Sequence, residues 1–539
     1  MIYLFDLPLD VLAVIAKQLS DNDILNLSIS SKHFQDIVFV VKFSKKVSVE
    51  KVVGLPYFNS FVNVTYDSNN IFPVKLRYLY WYNNQPIQNC LPNSLTHIIF
   101  DDKYDQPLPL SLPIGLIKIQ FGFHYNQYVP ENLPNALKII IFGHKYNLPL
   151  PKNLPDSITY LRFGDDYDQQ LPENLPADLT ELIFGFDYNQ ILPQKLPADL
   201  VHIQFGYKYN QSLPECLPHT LEYIEFNSKY NLPLPTNLPN SLIKLTFGHW
   251  YNQPLPQKLP PELDTIHFNY CYNQSLPQNL PNSLTDLKFG HKYNQPLPQN
   301  LPNSLINLEF GYKYNQPLPL NLPNSLTHLK FDNNYNQSLP DNLPNTLKYL
   351  EFGDNYNQPL PHLLPCSLKY IQFGYYYNHH LPQNLPYSLT YLILGEKYNC
   401  PLPQNLPAFL VYLAFGSCYN QPLPLILPAS LHSLILGSGY NKCPPILPPN
   451  LNHLIFGNNY NQPLPSLPNS LTRLEFGNSY NQPLPQILPR NLTHLKFGKL
   501  FNQQLPYLPK TLTYLCLSKN IPLPSELPAD LAIDYFDIY

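Results

Sequence analysis

The residues best suited to chemistry in this chain are its histidines, and their spacing argues against a catalytic or metal site. Five of the 16 histidines share one position of a 21-residue sequence period, but no two of them fall in consecutive periods. They are His97, His202, His328, His453 and His494. Metal ligands must converge within a few ångströms, which side chains so widely separated along a repeat cannot do. Because the sequence also has no carboxylate cluster or nucleophile motif, we predict a protein that is not an enzyme and needs no metal or other cofactor.

The eight cysteines are equally dispersed, and none of them forms a C-x-x-C pair. They occupy positions 90, 216, 271, 366, 400, 418, 443 and 516, at several different phases of the period. This usage is typical of reduced thiols in a cytosolic protein. The first residues, MIYLFDLPLD, offer no basic segment and no apolar run long enough for a signal peptide or a membrane span. We therefore expect a cytoplasmic location.

A run of tyrosines is the strongest candidate for a binding site. The third position of a recurring L-x-x-L-x-F motif is tyrosine in four consecutive periods, and the fifth position beside it is barely charged. We predict a target-binding patch made of Tyr349, Tyr370, Gln372, Tyr391, Ile393 and Tyr412. Tyrosine is a favoured interface anchor, because it offers a large contact area with a polar tip. Plain β-propensity on an exposed face, or a platform for carbohydrate, would give the same pattern.

The fifth position in the preceding periods alternates in charge. It reads Lys288, Glu309, Lys330 and Glu351. Opposite charges on neighbouring strands satisfy each other, so we interpret this run as cross-strand ion pairing and not as a recognition surface.

The overall composition excludes two classes of protein. Charged residues make up 13% and apolar residues 44% of the 539 positions, the reverse of what disordered chains show. The net charge is −4 and no basic block stands out, so we expect no nucleic-acid partner.

The elements that position these residues follow from the period itself. The L-x-x-L-x-F motif starts 22 times between Leu76 and Leu512, mostly 21 residues apart. Such a period is the signature of a leucine-rich-repeat solenoid. In one repeat, alternation along a short strand directs Leu308 and Phe310 inward and Asn307 and Glu309 outward. We predict an α/β-type solenoid with a parallel sheet on its concave side and few helices.

Three further positions that recur in each repeat, which we call columns, have structural interpretations. Sixteen of the 19 glycines directly follow the phenylalanine column, which predicts a left-handed turn out of each strand. The asparagine after the tyrosine column, as in Asn315, is expected to satisfy backbone groups at a corner of the solenoid. Tyr314 and the leucines of PLPLNLP should complete the core of the coil.

The many prolines predict an extended arm on the convex side. Proline lacks the N–H group and disfavours helical geometry in the preceding residue, so residues 296–302 should be close to polyproline II. The same residues could be read as a ligand for proline-binding domains. We favour the structural interpretation, because the leucines between the prolines should be buried.

The first 43 residues contain a single proline, Pro8, and read as three short helices. Their pattern resembles the F-box, the helical module that docks on the adaptor subunit of cullin ubiquitin ligases. The resemblance rests on Leu7-Pro8, Asp10, Leu12, Ile15, Leu19, Asp23, Leu25, Leu27-Ser28, Ser31-Lys32 and Phe34. Asp10 stands where the family usually has glutamate. The resemblance implies adaptor-binding residues Leu7, Pro8, Leu12, Ile15, Leu19 and Leu25; the alternative is a plain helical cap on the solenoid.

The repeats resemble FNIP repeats, a leucine-rich variant found in social amoebae and giant amoeba-infecting viruses. Here F-N-I-P is mostly Y-N-Q-P, and Phe501-Asn502 is nearest to the family's opening residues. The order of the two modules resembles the F-box and FNIP repeat-containing protein family, which for a viral protein would imply the host cytoplasm. The expected organisation is a helical module at 1–43, a connector and N-terminal cap at 44–75, about 22 repeats at 76–530 and a C-terminal cap at 531–539.

The resemblance therefore implies a non-catalytic substrate receptor, in which the helical module binds a ligase adaptor and the solenoid captures a target protein. The alternative is a leucine-rich-repeat scaffold, or a protein that binds another ligand such as carbohydrate, with no role in ubiquitin transfer.

Overall fold

The computed structural model describes residues 19–21, 23–24, 42–43, 45–55, 57–66, 71–87 and 91–536. The chain divides into two compact units, residues 1–263 and residues 264–539. Each unit is a solenoid of stacked coils in which every strand pairs in parallel with the next strand along the chain. The predicted fold, a leucine-rich-repeat solenoid with a parallel sheet and few helices, is confirmed.

Among the described residues of the first unit, short helices occur near its beginning. Residues 21, 23 and 24 are helical, helix α1 spans Val49–Val52, and a 3₁₀ turn spans Phe58–Ser60. Its strands are β1 Val47–Ser48, β2 Asn63–Tyr66, β3 Tyr78–Trp81, β4 His97–Phe100, β5 Lys118–Gln120, β6 Ile139–Ile141, β7 Tyr160–Arg162, β8 Glu181–Ile183, β9 His202–Gln204, β10 Tyr223–Glu225 and β11 Lys244–Thr246. Strands β1 and β2 lie in the segment expected to be a connector, and they extend the sheet toward the N-terminus.

The described residues of the second unit form strands and connecting segments. Its strands are β12 Thr265–His267, β13 Asp286–Lys288, β14 Asn307–Glu309, β15 His328–Lys330, β16 Tyr349–Glu351, β17 Tyr370–Gln372, β18 Tyr391–Ile393, β19 Tyr412–Ala414, β20 Ser433–Ile435, β21 His453–Ile455, β22 Arg473–Glu475, β23 His494–Lys496, β24 Tyr514–Ser518 and β25 Ala532–Phe536. The last strand, β25, pairs with β24 along five residues and ends the described sheet.

The core of each coil is built from the columns that the period predicts. In the coil around β14, the strand residue Leu308 is buried, as are Leu305, Phe310 and Tyr314. The phenyl ring of Phe310 stacks on Tyr314 with ring centroids 3.8 Å apart, and Tyr314 stacks on Tyr293 of the preceding coil at 5.9 Å. Because the tyrosine contacts recur from coil to coil, the tyrosine column forms a continuous stack within each unit, whereas leucine replaces phenylalanine at positions 394 and 436.

The extended proline arm is confirmed, with one correction to its leucines. Residues 296–302 form no helix, in agreement with the restrictions that proline imposes. In PLPLNLP, Leu318 and Leu322 are buried as expected, but Leu320 is 78% exposed. Leu320 occupies the position that holds Gln299 in the preceding coil, so its side chain points away from the core. The expectation that every leucine of this arm is buried was wrong for Leu320.

The predicted left-handed turn after each strand was wrong. None of the described residues, glycine included, has a positive φ angle. Glycine is found here for a different reason: a Cβ on Gly311 would overlap the carbonyl group of Gly290 in the preceding coil. Where Asp332 and Asn269 replace glycine, their side chains accept a hydrogen bond from the next backbone N–H, at 2.7 and 2.9 Å. Glycine is therefore used here for close approach between consecutive coils and not for its freedom in φ.

The predicted role of the asparagine column is confirmed. The backbone N–H of Asn336 donates to Oδ1 of Asn315, one coil earlier, at 2.9 Å. The Nε2 group of Gln337 donates to the same oxygen at 3.1 Å. Asn315 in turn donates its own N–H to Asn294 at 2.9 Å. We call this recurring arrangement the asparagine ladder; it satisfies backbone donors at the corner of each coil.

Candidate functional site

The four tyrosines predicted from the strand motif lie side by side on the outward face of the second unit's sheet. Strands β16 to β19 pair in register, so that Tyr349 faces Tyr370, Tyr370 faces Tyr391 and Tyr391 faces Tyr412. Successive ring centroids are 6.1, 6.1 and 5.6 Å apart. The four side chains form one continuous aromatic surface.

His328 is an additional member of this row that sequence reasoning left out. Its imidazole stacks on Tyr349 with centroids 4.3 Å apart and an angle of 9° between the ring planes. Partial burial and the positive charge of Lys348 lower the pKa of His328, which favours the neutral ring at physiological pH. The signal was present in the sequence, since His328 holds the same motif position one period before Tyr349.

The tyrosine side chains differ in how their hydroxyl groups are used. Tyr349 and Tyr391 are about two-fifths exposed, at 40% and 42%. Tyr370 is less exposed, and its hydroxyl donates a hydrogen bond to Oε1 of Gln372. Burial, and then the negative charge of Glu351, raises the pKa of Tyr370. Gln372 therefore orients one of the central rings, while Tyr349 and Tyr391 present more of their surface to a partner.

A second, apolar column runs beside the tyrosines and is longer than expected. Ile393 and Ala414 begin it, and strand pairing continues it through Ile435 and Ile455. We call the combined surface of the four tyrosines and these four residues the sheet patch. Sequence reasoning missed Ile435 and Ile455, although both hold the fifth position of the strand motif.

Charged pairs border the sheet patch, and the predicted pairing is confirmed. Lys288 contacts Glu309 at 2.9 Å and Lys330 contacts Glu351 at 3.1 Å. Burial alone would lower the pKa of Lys330, but the hydrogen bond and charge of Glu351 raise it instead. A depression of about 610 Å³ lies over these pairs and reaches Tyr349 and Tyr370. At the other border, Arg473 pairs with Glu475 of the same strand. The sheet patch is thus an apolar centre with a paired polar border, the usual anatomy of a protein interface.

The histidines singled out in the sequence do not converge. His453 and His494 are separated by the strand that carries Arg473, and His97 and His202 lie in the first unit. A further histidine, His267, contacts Asp286 at 3.1 Å, and this hydrogen bond lowers the pKa of the Asp286 carboxyl group. Across the described residues, no three or more His, Cys, Asp or Glu side chains gather as metal ligands would.

The structure describes most of the cysteines but few of the N-terminal residues expected to bind an adaptor. The seven cysteines that the structure describes carry no disulfide, and Cys90 lies outside the described residues. Among the expected adaptor-binding residues, Leu19 is 38% exposed. The others lie outside the described residues: Leu7, Pro8, Leu12, Ile15 and Leu25. In the part of the chain that the structure describes, no helix combines the length and hydropathy that a membrane crossing requires.

Comparison with known families assigns both parts of the chain. The FNIP repeat family matches residues 69–103, 82–124, 146–187, 188–229, 251–292, 272–313, 293–334, 314–355, 335–376, 356–397, 377–418, 398–439, 444–479 and 480–520. The F-box domain family matches residues 4–46. The chain belongs to the F-box and FNIP repeat-containing proteins. Both of its modules are of kinds that generally serve protein–protein interaction.

Solved structures place this FNIP repeat protein among leucine-rich-repeat folds. It is similar to CroV588, described as a novel circular leucine-rich-repeat protein. The identity is 34%, the TM-score is 0.64, and the match covers 89% of this chain and 83% of that one. It is also similar to YopM from Yersinia enterocolitica WA-314, at 26% identity, with a TM-score of 0.58 and coverage of 78% and 91%. No curated protein matches it.

Proposed function

We propose that this FNIP repeat protein is the substrate receptor of a cullin-type ubiquitin ligase and acts in the cytoplasm. The F-box domain at residues 4–46 supports the first half of this proposal, because F-box domains generally bind the adaptor subunit of such ligases. In this proposal Leu7, Pro8, Leu12, Ile15, Leu19 and Leu25 contact the adaptor. The chain itself performs no chemistry and serves to bring a target close to the ligase.

The sheet patch supports the second half of the proposal and is the observation that carries it. Its four tyrosines are in register, with Tyr349 and Tyr391 exposed and Tyr370 and Tyr412 half-buried. An uncharged column accompanies them over β18–β21. Large aromatic side chains next to an apolar surface supply most of the binding energy in typical interfaces. Tyr349, Tyr370, Gln372, Tyr391, Ile393 and Tyr412 are the proposed contacts to the target protein.

One co-purification experiment tests both halves. The full-length chain, expressed in cells that contain the ligase adaptor, should retain the adaptor under mild conditions, and a Leu12→Ser/Ile15→Ser variant should lose it. A Tyr370→Ala/Tyr391→Ala variant should keep the adaptor and reduce target capture at least roughly tenfold, since two interface anchors are removed. Tyr387→Ala is the matched control, because Tyr387 is 65% exposed but lies outside the sheet patch.

The two halves fail in different ways. If the full-length chain does not retain the adaptor, the ligase role is wrong and the protein is a scaffold. If the double tyrosine variant captures the same proteins as Tyr387→Ala, targets bind elsewhere than the sheet patch.

A further inference from the structure

The proline arm of the second unit carries a row of exposed apolar side chains in its last coils. They are Leu425, Ile426, Ile446, Ile487 and Tyr507, and they are between 77% and 87% exposed. We call this row the arm stripe. It is separate from the sheet patch, because the arm and the strand are different segments of each coil.

The core of the coil does not require these side chains. Earlier coils hold mostly asparagine where Ile426 stands, namely Asn321, Asn342, Asn384 and Asn405, with Leu363 as an isolated exception. Three of those coils bury the adjacent core leucine, Leu322, Leu343 or Leu385, with asparagine in place. The apolar residues of the arm stripe must therefore be explained by something outside the coil.

The arm stripe is continuous and held in an extended conformation. Ile426 forms a parallel β-bridge with Ile446, and Ile487 forms one with Tyr507. The coil between these two pairs has Ser466 at the equivalent position. Its neighbours Leu464 and Leu467 are partly exposed, whereas the corresponding Leu297 and Leu301 of an earlier coil are buried. The apolar surface thus extends across all five coils.

The order of residues in the arm stripe is nearly the same in both directions. From the coil of Ser466, an isoleucine lies one coil away on each side, and Ile426 and Tyr507 lie two coils away. A two-fold axis through Ser466 would place Ile446 of one copy against Ile487 of the other, and Ile426 against Tyr507. A surface that matches itself under a two-fold rotation is what a symmetric homodimer needs.

The charges beside the arm stripe are compatible with this arrangement. The exposed charges within the five coils of the arm, Lys442, Arg490 and Lys510, are all basic, and the acidic Glu526 follows in the column of Tyr507 one coil later. Under the two-fold, Arg490 would face Pro449 and Lys510 would face Ala429, since these residues share one column of the coil. In the same way Lys442 would face Gln482.

We propose that the arm stripe is the interface of a homodimer, with the two copies antiparallel about Ser466. Its exposed side chains present on the order of 600 Å² of apolar surface, at the upper end of what a typical monomer shows. Together with the arm residues around it, this approaches the ~800 Å² that each partner contributes to a stable interface. The inference does not rest on the ubiquitin proposal.

Sedimentation of the full-length chain tests the dimer. The wild type should sediment as twice its 62.3 kDa mass at micromolar concentration. An Ile426→Asn/Ile446→Asn/Ile487→Asn variant should dimerise roughly 100-fold more weakly, because three apolar contacts on each copy become polar. The variant should still fold, since asparagine occupies this position in other coils. An unchanged circular dichroism spectrum would verify that.

Leu320→Asn is the matched control, because Leu320 is 78% exposed on the same arm but isolated between Gln299 and Asp341. It should leave the dimer intact. A monomeric wild type, a triple variant that remains dimeric, or a control that dissociates equally would each overturn the proposal.

A cysteine at the axis tests the antiparallel arrangement. Ser466→Cys should form a disulfide with its own copy on mild oxidation, because the axis brings the two side chains together. Asn321→Cys, also exposed on the arm, should not cross-link above the wild-type level that the native thiols set. Equal cross-linking of the two variants, or none from either, would rule out the two-fold at Ser466.

Discussion

At the scale of single residues, the glycine after each strand determines how closely two coils can approach. Gly311 lies over the carbonyl group of Gly290, and the same contact recurs between Gly374 and Gly353. Because no described residue has a positive φ angle, the requirement is for space and not for an unusual backbone conformation. A Cβ added to Gly311 would lie 2.1 Å from the carbonyl oxygen of Gly290, so the two coils must shift locally to accept it.

We expect Gly311→Ala to destabilise the protein by about 1–3 kcal/mol, the usual range for forcing extra atoms into a packed site. Gly115→Ala is the control, since its added Cβ would lie 3.6 Å from the carbonyl oxygen of Asn93, an ordinary contact. It should be neutral, or slightly stabilising through the unfolded state. Urea midpoints of the two variants provide the measurement, and equal midpoints would contradict the close-approach explanation.

At the scale of the repeating element, the corner of each coil depends on one side-chain oxygen. Oδ1 of Asn315 accepts from both the backbone of Asn336 and the side chain of Gln337. In the first unit Asp105 does the same for Asn126 and Gln127, at 2.9 and 3.0 Å. The ladder therefore needs an acceptor of this length at each corner, and it accepts either an amide or a carboxylate.

Replacing Asn315 with alanine should cost about 1–3 kcal/mol, because a partly buried backbone donor and an amide lose their acceptor. Asn315→Asp should be close to neutral, as the coil of Asp105 indicates. Thermal unfolding followed by circular dichroism would compare the two variants. The ladder is not a stabilising feature if alanine and aspartate give the same midpoint.

At the scale of the whole molecule, stability comes from contacts between neighbouring coils. Core stacks, ladder bonds and strand pairs all connect one coil to the next within each unit. A protein of this kind behaves as a sum of units and their interfaces, so whole coils can be removed without changing the environment of the others. Because lysine and glutamate alternate along the sheet, a deletion should bring opposite charges together.

We predict that deletion of residues 294–335, two whole periods, leaves a folded protein that still binds its target. The deletion joins Tyr293 to Asn336 and keeps every core column in phase. It also places Lys288 beside Glu351, so opposite charges still meet. Deletion of residues 294–304 alone is the control and should abolish cooperative unfolding, because it shifts leucines out of the core. The idea of independent coils fails if both deletions unfold alike.

The sequence by itself determined the features that repeat with the period. The parallel sheet, the buried leucine, phenylalanine and tyrosine columns, the asparagine ladder and the pairs Lys330–Glu351 and Lys288–Glu309 were all predicted. Each depends on contacts between equivalent positions of neighbouring coils. The regular spacing therefore identifies both residues of each such contact. The row of four tyrosines could be predicted in the same way.

Other features could be seen only in the tertiary structure, because they depend on the distances between coils and on the exact length of each coil. The reason for Gly311 is a steric contact with another coil, which no local pattern reveals. The strand motifs that start at Leu431, Leu451 and Leu471 are 20 residues apart. Counting in steps of 21 therefore misaligns equivalent positions in these coils. Strand pairing restores their alignment and brings Ile435 and Ile455 to the sheet patch, while the same coils bring Ile446 into the arm stripe. Exposure, which separates Leu320 from its buried neighbours, is a property of the packed coil and not of residue type.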